Sequence, residues 1–100
     1  MYILLPMDSD DASASSLCKI DDAKVWTQIL VESGQLQETN HSSDRESFKN
    51  LSECVVVIDD NEYVWPFMDQ NMMVLVAHTQ RNIEDIIEAY LFKELHELAY

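Results

Sequence analysis

The sequence predicts an α/β fold on a mixed sheet, and three observations predict it. Two stretches of strand-forming residues meet at Ser33-Gly34, which holds the chain's one glycine. Two continuous apolar runs, CVVVI at 54–58 and MMVLVA at 72–77, have the composition of strands buried on both faces. An apolar stripe at helical spacing occupies the last fifth of the chain. Strands that meander and then alternate with helices give a mixed sheet with helices packed on it. The expected order is β-β-β-α-β-α-β-α, five strands and three helices, in one domain over residues 1–100.

Tyr2 to Met7 (YILLPM) reads as a buried strand whose Pro6 leads toward a loop. Asp8 to Ser16 is small, polar and acidic, hence solvated. In Ala23 to Glu32, alternation places Val25, Thr27, Ile29 and Val31 on one face and Trp26, Gln28 and Leu30 on the other. Neither face is wholly polar, so both are expected to be covered. Ser33-Gly34 suits a two-residue hairpin turn, because glycine adopts a positive φ freely. Gln35 to Thr39 is then the returning strand.

Ser43-Asp44-Arg45-Glu46 matches a capping box and predicts a helix over 44–53, with Phe48 and Leu51 on one face. Cys54 to Ile58 predicts a central parallel strand. Pro66 permits only a stunted helix beginning near Trp65. Met72 to Ala77 is the next strand. Asn82 caps the final helix, whose stripe runs through Ile83, Ile86, Ile87, Tyr90, Leu91, Leu95 and Leu98, with Phe92 and His96 on the outer side.

Nineteen Asp and Glu against six Lys and Arg give a net charge of −13, which repels phosphate backbones and anionic lipid. Nucleic-acid and membrane partners are therefore not expected. No apolar run approaches a membrane span, and Met1 to Met7 has neither a basic segment nor a cleavage site. Two cysteines make no disulfide framework, so a cytoplasmic protein with reduced thiols is expected.

Catalytic motifs are missing: there is no GxSxG, no Walker loop and no GxGxxG, and one glycine cannot build a phosphate cradle. An enzyme is not expected. Soft-metal chemistry is available at Cys18, His41, Cys54 and His78, at spacings wider than those of close ligand motifs. Cys54 suits a core filler and His78 a strand rim. If the first and fourth strands are parallel neighbours, Asp8, Asp10 and Asp11 approach Asp59 and Asp60, a set that could hold Mg²⁺ or Ca²⁺. Nuclease use of such acids conflicts with the lack of a basic surface. Trp26, Trp65, Phe67 and Phe92 are large enough to anchor an interface with a second copy or another protein. The alternative for Trp65-Pro66-Phe67-Met68 is simple cover for the sheet.

The element order and particular residues resemble the dinitrogenase iron–molybdenum cofactor biosynthesis family. YILLPMDSDD is similar to that family's first strand and loop, AKVWTQILVESGQL to its hairpin, CVVVI and MMVLVA to its fourth and fifth strands, and NIEDIIEAYLFKELHEL to its closing helix. The resemblance implies a ribonuclease H-like fold and a small carrier of iron–sulfur or iron–molybdenum species. It also implies cofactor contacts at Cys18, which lies where the family carries the histidine of a His-Phe-Gly-Arg motif, and at His41 in the third loop. Lys19-Ile20-Asp21-Asp22 stands in place of that motif, and Asp59-Asp60-Asn61 in place of a Gly-rich turn. These departures leave a second reading, a relative without cofactor binding that acts as an acidic protein-interaction module.

Overall fold

The computed structural model describes residues 1–11 and 13–98. One six-stranded sheet runs in the spatial order β3-β2-β1-β4-β5-β6, built from β1 (Tyr2–Met7), β2 (Val25–Glu32), β3 (Gln35–Ser42), β4 (Cys54–Val57), β5 (Met73–Val76) and β6 (His96–Leu98). Helices α1 (Trp65–Asp69) and α2 (Ile83–Leu91) pack on it, and a 3₁₀ turn covers Ile20–Asp22. The β1-β4-β5 centre is parallel, while β2, β3 and β6 pair antiparallel.

The strand pleat divides the core in two. Ile3, Leu5, Met7, Ile29, Cys54 and Val56 face one side, where Ile83 and Ile86 of α2 cover them. Leu4, Trp26, Val55, Val57, Val74 and Val76 face the other, under Val64 and Phe67 at α1. The Phe67 ring lies 5.9 Å from the Trp26 ring. Both sides of β4 are thus filled, which accounts for its unbroken apolar run.

The hairpin forms where the sequence places it, with Ser33 at φ 54° and Gly34 at φ 75°. Two successive positive φ values match the right-handed twist of the flanking strands. Strand β3 extends three residues past Thr39, to Ser42. Pro6 sits inside β1, where its carbonyl accepts from the Cys18 amide at 2.9 Å. The ladder between β1 and β4 covers only Ile3 and Leu4, so it asks for no donor at Pro6.

Two expected elements are corrected. No helix forms over 44–53, so there are two α-helices among the described residues rather than three. The Asp44 carboxylate accepts from the Glu46 amide at 2.9 Å and the Ser42 hydroxyl from the Asp44 amide at 3.1 Å. Such local bonds compete with helix initiation. Phe48 packs against the margin of the core, but Leu51 is 91% exposed, so only half of the expected apolar face is held. The buried Gln28 amide instead pins this segment, donating to the Asn50 carbonyl at 2.8 Å and the Ser52 hydroxyl at 2.9 Å.

The final helix is also shorter than its stripe, and a sixth strand replaces its end. The Asn82 side chain caps it as expected, accepting from the Asp85 amide at 2.8 Å. At the other end the Glu94 amide reaches the Ala89 carbonyl at 2.8 Å, and the Lys93 amide reaches that of Tyr90 at 3.2 Å. That paired pattern is a Schellman stop, with Lys93 left-handed at φ 58°. The chain reverses, and His96–Leu98 pairs with β5.

Candidate functional site

Parallel β1, β4 and β5 bring their carboxyl ends to one edge, where open α/β sheets place ligands. Cys18 stands at this edge. Leu17 bridges to Met7, and the Cys18 thiol lies 3.6 Å from the Pro6 carbonyl, half-buried. The Leu17 amide donates to the Arg81 carbonyl at 2.7 Å, so the segment after β5 lies against the Cys18 loop. Burial pushes the Cys18 thiol above its ordinary value, and Asp8, Asp22 and Glu62 push the same way. Cys18 is therefore a neutral thiol near pH 7, and a metal must displace its proton.

The acids do not converge as the sequence suggested. β1 and β4 are indeed parallel neighbours. Yet the Asp8 carboxylate accepts from the Ser16 amide at 2.8 Å, and that of Asp59 from the Asn61 amide at 2.8 Å. Asp11 holds Ser13 through its amide and hydroxyl, which lowers the Asp11 pKa. Asp10 and Asp60 are exposed in the same turns. Each carboxylate that bonds in these loops shapes its own turn. Among the described residues, no three of His, Cys, Asp and Glu gather as a cation would require.

The acid that organises this edge is Glu62, which no motif in the sequence sets apart from its neighbours Asp59 and Asp60. One carboxylate oxygen accepts from the Ile20 amide at 2.6 Å. The other accepts from the amides of Ile58 and Asp59 at 2.8 and 3.2 Å. It ties the end of β4 to the 3₁₀ turn beyond Cys18. A polar cavity of about 390 Å³ lies alongside, lined in part by Lys19, Asp59, Asn61 and Tyr63.

The other candidate residues are dispersed. His41 lies on edge strand β3, its Nδ1 2.9 Å from the buried Thr27 hydroxyl, two strands from β1. Cys54 is fully buried in β4, and burial pushes its thiol up to about 12. The His78 and His96 rings lie 6.4 Å apart, with His96 on β6 rather than on a helix. Phe67 is 1% exposed and belongs to the core. Trp65 is 50% exposed, beside Tyr63 at 68%. Phe92 is 71% exposed at the end of α2, on the opposite side of the sheet from α1, so the aromatics form no single patch.

Among solved structures, the chain is similar to a protein of Methanocaldococcus jannaschii described as a "putative dinitrogenase". The two are 13% identical with a TM-score of 0.77, over 99% of this chain and 95% of the other. The protein PH0822 is 15% identical with a TM-score of 0.72, over 98% of this chain and 96% of its own. The chain shares their fold. No protein-family model and no curated protein matches it. Among the described residues, no helix is long and apolar enough to cross a membrane.

Proposed function

We propose that this chain is a non-enzymatic binding protein of the iron–molybdenum cofactor biosynthesis type, on a ribonuclease H-like scaffold. Its cargo is an iron–sulfur or iron–molybdenum species, attached through Cys18 at the carboxyl edge. The observation that carries this reading is the likeness, over 99% of the chain, to the protein described as a "putative dinitrogenase". Cys18 supports it as a half-buried thiol at the edge where such sheets bind. One chain does not fit a resident cluster: clusters take about four ligands, and Cys18 brings no second thiol with it. Cargo held here completes its ligands from another molecule, as suits an intermediate passed between proteins.

Anaerobic reconstitution with iron and sulfide, followed by metal analysis and an absorption spectrum, tests this. Stoichiometric iron with charge-transfer bands, lost in Cys18→Ser, is the expected result. Folded protein that stays colourless and metal-free would remove the carrier reading. Loading rises with pH, because the thiol must ionise.

A second reading, an acidic protein-interaction module, is favoured by the exposed Tyr63 and Trp65 at the entry to α1. Sedimentation equilibrium of the wild type and Trp65→Ala tests its homodimer form. Self-association weakened by the substitution supports it, and a monomer at every concentration rejects it.

A further inference from the structure

At the opposite edge, the amino ends of β4 and β5 open onto a groove of about 400 Å³, within the range of small-molecule pockets. The segment between β3 and β4 forms one wall and the end of α1 the other. Phe48, Met72 and the 91%-exposed Leu51 give it an apolar lining. Its polar head is Arg45. The Arg45 guanidinium lies 4.5 Å from the centre of the buried Phe67 ring, a stacking geometry that fixes it in place. One terminal nitrogen donates to the Gln70 side chain at 3.3 Å, and the other sits 3.7 Å from the Glu46 carboxylate, too far for a hydrogen bond. Among the described residues this leaves most of the five donors of the fork unengaged.

We infer that this groove binds a small organic anion, a carboxylate on an apolar and preferably aromatic body. A carboxylate suits the Arg45 fork bidentately, whereas a lysine would offer only a point charge. The body covers Phe48, Leu51 and Met72 and removes their surface from water. In a chain of net charge −13, a bare anion is repelled, so the apolar contacts are what select the ligand. The groove is at the other end of the sheet from Cys18, and the inference does not depend on metal-cluster cargo.

The probe is 3-phenylpropionate, titrated against ¹⁵N-labelled protein, with neutral 3-phenylpropionamide as its control. Saturable shifts at Arg45, Leu51, Gln70 and Met72 are expected, with the amide binding about tenfold more weakly for want of the charge-assisted bonds. Glu46→Gln removes the competing carboxylate and tightens binding several-fold. Arg45→Lys keeps the charge, loses the fork and weakens binding about tenfold. No shift up to about 20 mM ligand, equal binding of the amide, or shifts centred elsewhere overturns the inference. Glu46→Gln leaves the Phe67 stack intact, so an unchanged affinity in that variant overturns it even if Arg45→Lys fails to fold.

Discussion

Cys54 makes the fold sensitive to alkali in a way that can be calculated. Its side chain is fully buried in β4, opposite Ile3 and Met73, with its sulfur 3.9 Å from that of Met1. Burial, and secondarily the Glu53 charge, push its thiol from 9.0 up to about 12. The folded state therefore keeps the proton that the unfolded chain releases at the ordinary value. The thiol's influence on stability is constant below the lower value. Stability then falls as pH rises through the interval, and levels off above the higher value. At about pH 10.5 the linkage relation gives a loss of about 2 kcal/mol relative to neutral pH. Urea denaturation of wild type and Cys54→Ala at both pH values isolates this amount. The variant is less stable at pH 7 by ~1–2 kcal/mol for its cavity. Its further loss in alkali is about 2 kcal/mol smaller than the wild type's. Tyr90 is raised chiefly by its own burial, which is common to both proteins and cancels; the smaller push from the Cys54 charge is absent in the variant and belongs to the difference measured. Equal alkaline losses in the two proteins would refute the reasoning.

Three further outcomes follow from particular contacts. Lys93→Gly relieves a left-handed residue and raises stability by ~0.5–1 kcal/mol, read as a higher urea midpoint at unchanged slope. Glu62→Ala leaves three backbone amides without their acceptor. It costs ~1–3 kcal/mol and speeds hydrogen exchange at Ile20, Ile58 and Asp59 before any other site. Phe67→Ala empties the space between α1 and Trp26 and removes the platform under Arg45. It costs ~3–5 kcal/mol by thermal unfolding, and a change below 1 kcal/mol would contradict the packing described.

The sheet was legible in the sequence wherever one local signal sufficed. Gly34 marked the hairpin, CVVVI marked a strand covered on both faces, and Asn82 with Asp85 marked a helix start. The errors lie where local and tertiary signals diverge. Ser43 to Glu46 has the composition of a cap, but the segment that follows is pinned by Gln28, which is distant in sequence. Leu95 and Leu98 continue the helical stripe in register, and the stop after Leu91 is made by a lysine where glycine is the usual sign. Period alone could not separate a helical end from a three-residue strand that needs β5 beside it. Cys18 was singled out only by the resemblance of its loop to a known family, and its seat beside the end of β1 needed the tertiary contacts of Leu17 and Pro6. The roles of Glu62 and Arg45 were not legible, since each depends on partners from other elements.

The strand order also constrains how the chain folds. By residue 42 the β3-β2-β1 meander has every strand it needs, joined by a tight turn and one loop. The far side of β1 has no partner until Cys54 and Val55 arrive, and β4 in turn waits for β5. Early in folding the apolar Ile3-Leu4 edge is an open template on which a second chain could pair. Residues 1–42 carry seven acids against two bases, so two such half-formed copies repel one another. The acidity of residues 1–42 thus guards the unfinished molecule, and salt, by screening it, shifts the balance toward aggregation during refolding.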